Sequence, residues 1–105
     1  MRSEVLKGHL DFLLLATLSA EPAHGYRIVE RLRERSNGAL SLSEGTVYPA
    51  LYRLERARLV SSRWSSSSGR RRRVYSLTRK GRRALADGRR EWRAFSAMVE
   101  RVASA

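Results

Sequence analysis

Large apolar residues recur at helical spacing near the start of the chain: Leu6, Leu10, Leu13, Leu14 and Leu18, with Phe12 and Leu15 widening the stripe. The pattern predicts a largely buried helix over Val5 to Ser19. Glu21, Pro22 and Ala23 read as a turn. After it Tyr26, Ile28, Val29 and Leu32 mark a second helix, whose polar face carries Arg27, Glu30, Arg31 and Glu34 and which Ser36, Asn37 and Gly38 end. Ser41 and Glu44 stand at the spacing of a capping box, so a third helix is expected from there to about Ala57. Val47, Ala50, Leu51 and Leu54 share one of its faces, leaving Thr46, Tyr48, Pro49, Tyr52, Arg53 and Arg56 on the others. Pro49 supplies no N–H to the Gly45 carbonyl, which predicts local distortion in the first turns.

Leu59 to Trp64 and Val74 to Leu77 are short β-prone runs, with Ser65 to Ser68, Gly69 and four arginines between them. They predict a hairpin with a long, basic, flexible tip. The remainder, from Thr78 as N-cap to about Ala103, reads as one long helix. The order helix, helix, helix, strand, strand, helix gives a mainly α fold with a small β-hairpin. That is the layout of a winged helix-turn-helix with a C-terminal dimerisation helix, divided at 1–78 and 79–105.

Charge changes the picture most. The 105 residues include 22 Lys and Arg against 10 Asp and Glu, a formal +12, while the 42% apolar fraction is enough for a folded core. Arg56, Arg58, Arg63, Arg70, Arg71, Arg72, Arg73, Arg79, Lys80, Arg82 and Arg83 follow one another with no acidic residue between Arg56 and Ala86. So one-sided a block repels itself, and a phosphate backbone relieves that repulsion while counterion release adds affinity. A generic solvated surface is the alternative, but it does not account for four adjacent like charges at one hairpin. Arg70, Arg71, Arg72 and Arg73 are therefore expected on the minor groove or its phosphates. Ser43, Thr46, Tyr48, Pro49, Tyr52 and Arg53, at the opening and exposed side of the third helix, are expected in the major groove, with Tyr26 touching a phosphate from the start of the second helix. Tyr48 and Tyr52 have a competing reading, in which one of them packs under the hairpin.

The other chemistry is sparse. With no cysteine there are no disulfides and no thiolate ligands, and the chain is expected to be soluble and cytoplasmic. The longest near-apolar run, Phe12 to Leu18, falls well short of the roughly 20 residues of a membrane span. His24 and His9 form no ligand spacing with Asp11 or Glu21, so His24 is expected to cap or pack rather than to bind metal or act as a base. No nucleophile with a base and no phosphate-cradling glycine loop occurs, so neither enzyme activity nor a cofactor is expected. In the last helix Leu85, Trp92 and Val99 are seven apart, with Phe95 and Val102 three residues after Trp92 and Val99. Gly88 takes the earlier equivalent position, where another backbone could come close. The stripe fits either docking on the chain's own core or a dimer seam, and the leucines already present in the three-helix unit favour the seam. Trp92 either packs in that seam or lines, with its two-fold mate, a cavity for flat hydrophobic molecules.

Four segments together resemble the PadR family of bacterial transcriptional regulators: L-D-F-L-L-L-A-T-L (Leu10 to Leu18), P-A-H-G-Y (Pro22 to Tyr26), S-E-G-T-V-Y-P-A-L-Y-R-L-E (Ser43 to Glu55) and G-R-R-R-R-V-Y-S-L-T-R-K-G (Gly69 to Gly81). Val74 and Tyr75 stand where family wings often carry two adjacent aromatics. The resemblance implies a homodimeric, sequence-specific regulator of double-stranded DNA, usually a repressor of a palindromic operator. It implies that the helix with Gly45, Thr46, Tyr48, Pro49 and Tyr52 enters the major groove and that Arg70 to Arg73 form the wing. The single C-terminal helix is similar to that of the smaller subfamily, some of whose members bind planar hydrophobic effectors beside a Trp at the place of Trp92. The competing function is a sequence-neutral, architectural nucleic-acid-binding protein.

Overall fold

A computed structural model describes residues 6, 8–67 and 69–104. Helix α1 spans Leu10–Thr17, strand β1 Ala23–His24, helix α2 Gly25–Arg35, helix α3 Glu44–Arg56, strands β2 and β3 Val60–Ser67 and Arg70–Leu77, and helix α4 Arg79–Ala103. The helices and the hairpin follow in the expected order, but β1 is an additional strand and several boundaries differ from the sequence reading, each for a local physical reason.

The first apolar stripe is interrupted. Leu6 is helical, yet Gly8 and His9 form a turn before α1, because glycine is a poor helix former and the turn closes through His9 N–H to the Leu6 carbonyl at 2.9 Å. The expected start at Val5 lies outside the described residues. Leu14, Leu15 and Leu18 are buried, and Thr17 hides its hydroxyl by donating to the Leu13 carbonyl at 2.7 Å.

Helix α2 begins where His24, in extended conformation, accepts the Arg27 backbone N–H on Nδ1 at 3.1 Å. It ends in a left-handed cap: Asn37 has φ 52° and Gly38 φ 83°, and Gly38 N–H reaches back to the Arg33 carbonyl at 2.8 Å. One residue of its polar face is misplaced by the sequence reading. Arg31 is only 5% exposed; its guanidinium donates to the Thr17 and Glu21 carbonyls at 3.3 and 3.2 Å and to the Glu21 carboxylate at 2.7 Å. It thus satisfies one carbonyl at the end of α1 and one in the loop after it, which a periodicity cannot reveal.

Helix α3 starts two residues later than the capping-box spacing suggests. Ser43, not Ser41, is the N-cap, with Oγ accepting Thr46 N–H at 3.3 Å. Val47, Ala50, Leu51 and Leu54 are buried as expected, and the helix runs unbroken through Pro49 instead of distorting. Gly45 is exposed, so its orphaned carbonyl can be solvated rather than forcing a kink. At the other end Arg58 takes φ 63° while Leu59 N–H bonds the Leu54 carbonyl at 2.9 Å, a second left-handed cap made without glycine.

The hairpin differs most. Only positions 68 and 69 separate β2 from β3, with Ser67 opposite Arg70 and Gly69 at φ 74°. The expected long flexible tip is therefore paired strand, and Arg70 to Arg73 lie within β3; Ser68 itself lies outside the described residues. The segment read as a turn through Ala23 instead ends in β1, whose Ala23 and His24 pair with Tyr75 and Val74, giving an antiparallel sheet of order β1-β3-β2.

Thr78 caps α4 as expected, accepting Gly81 N–H at 3.0 Å while donating to the Arg58 carbonyl at 2.6 Å. Gly81 lies so close to Leu59 that a Cβ there would meet the Leu59 carbonyl oxygen at 1.9 Å. Leu85, expected on a seam, is 3% exposed and belongs to the core with Leu14, Ile28, Leu51, Val60 and Tyr75. Gly88 admits the Phe12 ring of its own chain, 2.8 Å from where its Cβ would be, and not another backbone. The rest of α4 extends away from the core, and the molecule measures 57 × 29 × 21 Å. Among the described residues no helix is long and apolar enough to cross a membrane.

Candidate nucleic-acid interface

The start of α2, one side of α3 from Glu44 to Glu55 and the hairpin enclose an open cleft of about 620 Å³. Its lining comprises Tyr26, Tyr48, Tyr52 and all four hairpin arginines, together with His24, Glu44, Glu55, Trp64 and Tyr75. Strand alternation explains the last part. Val60, Ser62 and Trp64 on β2 pair with Leu77, Tyr75 and Arg73 on β3, so one face of the hairpin is apolar where it covers the core and becomes Trp64, Arg71 and Arg73 where it overhangs α3.

Tyr75 is fully buried at the base of this cleft, and its hydroxyl has no hydrogen-bond partner among the described residues. Tyr48 is half-buried because Gly25 leaves room for its ring; a Cβ at Gly25 would be 2.4 Å from Tyr48 Cζ. Tyr52 stays exposed, so of the two tyrosines it is Tyr48 that packs. Burial pushes both the Tyr48 and the Tyr75 phenols above their ordinary range, with Glu44 adding to it for Tyr48 and Tyr52 for Tyr75, so both hydroxyls remain donors at neutral pH.

His24 caps α2, as expected, and is also 2.7 Å through Nε2 from an Arg72 guanidinium nitrogen. A neutral imidazole has one acceptor nitrogen, so the cap and Arg72 compete for it. Burial first, then Arg72, with Arg27 and Arg31 after it, hold His24 below its ordinary range against the opposing effect of Glu30. Arg73 donates from Nε to Ser62 Oγ at 2.8 Å, Ser62 donates to Glu55 Oε2 at 2.6 Å, and Arg73 lies 3.9 Å from the same oxygen.

Ser43, Thr46 and Pro49 are exposed on α3 beside the cleft but do not line it. Arg53 points elsewhere, donating to Asp11 of α1 at 2.6 Å. His24, Trp64 and Tyr75 join the cleft without having been expected there. Only the strand register brings Trp64 and Tyr75 to the arginines, and only β1 brings His24 beside Arg72.

A second cleft, of about 390 Å³, lies where α4 passes the turn before α1 and is lined by Gly8, His9, Phe12, Gly88, Glu91, Trp92 and Phe95. His9 packs edge-on against Trp92 at 5.4 Å, and Phe95 is 6.2 Å away. Trp92, Phe95, Met98, Val99 and Val102 are exposed, Val102 to 72%. Among the described residues no group of three or more His, Cys, Asp or Glu side chains could hold a metal ion.

Residues 14–87 match the PadR-like family of transcriptional regulators. The chain belongs to that family. It is therefore a transcription regulator of winged helix-turn-helix type and not an enzyme. A PadR-like transcriptional regulator from Bacillus cereus superposes with a TM-score of 0.86 at 29% identity, over 97% of this chain and 98% of that one. A PadR family regulator from Clostridium difficile is 35% identical over 90% of this chain and 97% of its own, with a TM-score of 0.81. PadR of Bacillus subtilis, solved in complex with operator DNA, shares the fold at 24% identity and a TM-score of 0.67, over 74% of this chain and 45% of that protein. The regulator thus matches short relatives from end to end and the larger one only in part.

Proposed function

We propose that the regulator is a homodimeric repressor of a palindromic operator, with α3 in the major groove and the β2–β3 wing on the adjacent minor groove and its phosphates. The observation that carries this reading is the shared cleft: the start of α2, the tyrosines of α3 and four arginines converge on one face. Tyr26, Tyr48, Tyr52, Arg70, Arg71 and Arg72 are its contacts, joined by Ser43, Thr46 and Pro49 at the α3 opening; Arg53, tied to Asp11, and Arg73, tied to Glu55, reach DNA only by giving up those ion pairs. The larger PadR protein of the same fold was solved in complex with operator DNA, which supports an operator as the partner. Residues 1–78 act as the DNA-binding part and 79–105 as the dimerisation part, with Leu85 belonging to the first by its packing. The exposed Trp92, Phe95, Val99 and Val102 form the seam, which sets two half-sites about 34–36 Å apart.

Release is assigned to a planar hydrophobic effector held beside Trp92. A cleft of about 390 Å³ with three aromatic rings and His9 suits the flat face of a drug-sized molecule. Selection of bound duplexes from a random pool tests the regulator reading. A palindrome bound on the order of a thousandfold more tightly than random duplex is expected. Equal competition by random DNA would instead favour a sequence-neutral architectural protein. Titration of Trp92 fluorescence with planar aromatic dyes, in a variant lacking Trp64 and without DNA, tests the effector. Saturable quenching that also lowers operator affinity is expected, and quenching with no change in affinity would remove the switch.

A further inference from the structure

The four wing arginines look interchangeable in sequence, but their surroundings differ. Arg73 is caught from two sides, by Ser62 and by Glu55. Arg72 lies against His24. Arg71 makes no hydrogen bond or ion pair among the described residues; its guanidinium carbon instead sits 4.6 Å from the centre of the Trp64 ring, with that of Arg73 at 5.3 Å. The register explains the arrangement. Trp64 is directly opposite Arg73 and diagonal to Arg71, so all three project from one face of the hairpin toward the cleft. An indole attracts a guanidinium through its π face without using any of its N–H donors, so Arg71 is oriented while its whole fork stays free for an anion. Trp64 is 52% exposed, an unusual place for so large a ring unless it serves something at the surface.

We infer that Trp64 is the positioning residue of the wing: it holds Arg71 ready for a backbone phosphate, whereas Arg73 is a strut between the hairpin and α3. The inference rests on the DNA-binding reading and divides labour within it. Arg71 arrives with its rotamer freedom already reduced, so less ordering is lost on binding. Arg73 is already matched to Glu55 and would have to abandon a half-buried carboxylate to reach DNA.

The test is binding of a labelled mixed-sequence duplex across a range of salt concentrations, for the full chain and for W64A, W64F, R71A, R73A and the W64A/R71A double variant. R71A and R73A remove the same charge from the same strand, so a difference between them isolates direct contact from the general field. R71A is expected to lower the salt slope by about 0.9 for each wing on the duplex, and R73A by clearly less. W64A should weaken binding about two- to fivefold with the slope unchanged, and W64F should restore most of that loss. In the R71A background W64A should cost nothing further. Multiplying losses in the double variant, or a full unit of slope lost in R73A but not R71A, would overturn the assignment while leaving DNA binding intact. A wild-type chain that shows no salt-dependent binding would remove both.

Discussion

The two ends of this molecule solve opposite problems. At the wing, charged and aromatic groups are already arranged by one chain: His24 caps α2, Gly25 makes room for Tyr48, and Ser62, Glu55 and Trp64 hold Arg73. At the far end of α4, Trp92, Phe95, Val99 and Val102 project without a complete apolar neighbourhood. The first end is a finished site awaiting a ligand of opposite charge. The second is half a core, since so contiguous an apolar face in a monomer marks an interaction surface. Preorganisation within one chain thus suits a polyanion, whereas the apolar stripe is the face that the proposed dimer would cover.

The largest effect is expected at α4. In the proposed seam a charge at Val99, such as V99E, would be buried unpaired and is expected to prevent dimerisation, costing on the order of several kcal/mol of association. Sedimentation reads it directly, and a V99E chain that remains dimeric would place the interface elsewhere. Gly81→Ala probes the root of the same helix. Glycine to alanine inside a helix ordinarily stabilises by up to about 1 kcal/mol, but here the new Cβ meets a backbone carbonyl. We expect a destabilisation of roughly 1–3 kcal/mol or more in thermal unfolding, and a stabilised variant would show that α4 can shift relative to β2.

Smaller effects sharpen the wing side. Gly25→Ala drives a Cβ into the Tyr48 ring, so both stability, by about 1–3 kcal/mol, and DNA affinity should fall, read by melting and by anisotropy. A loss of stability alone would mean that Tyr48 packs without touching DNA. The smallest effect is on pH. The His24 pKa is lower in the folded chain than in the unfolded one, so the unfolded state binds the extra proton first. The contribution of neutral His24 is fully present above about pH 6.5 and is lost as pH falls through the lower folded value. H24N keeps a capping acceptor and should flatten that acid-side decline, as followed by urea midpoints against pH. An identical decline in H24N would assign it to other groups.

Local structure is the part most legible in the sequence. The buried Ile28, Val29 and Leu32 of α2, the apolar face of α3 and the Thr78 cap depend on residues a few positions apart, and they stand as read. The Ser43 cap shifted by two residues because three serine or threonine oxygens compete within one short segment, Ser41, Ser43 and Thr46. The missed strand β1 is two residues long and exists only because β3 lies alongside it. Likewise a flexible tip is what the polar run suggests, because it carries no β signal of its own, whereas Ser65 and Ser66 stand in the antiparallel ladder opposite Arg72 and Arg71.

Net charge pointed to a polyanionic partner and periodicity to the helix order, because both are properties of the chain itself, while the resemblance of four segments carried the family. Tertiary structure decided which charges are free. Arg31 and Arg73 read as surface cations, yet one is buried under α1 and the other is tied to Glu55, while Arg71 stays open on Trp64. Leu85 and Trp92, seven residues apart on one stripe, part company for the same reason: α4 leaves the core between them. Pairings between residues distant in sequence depend on register and on where helices end, and no single segment encodes either.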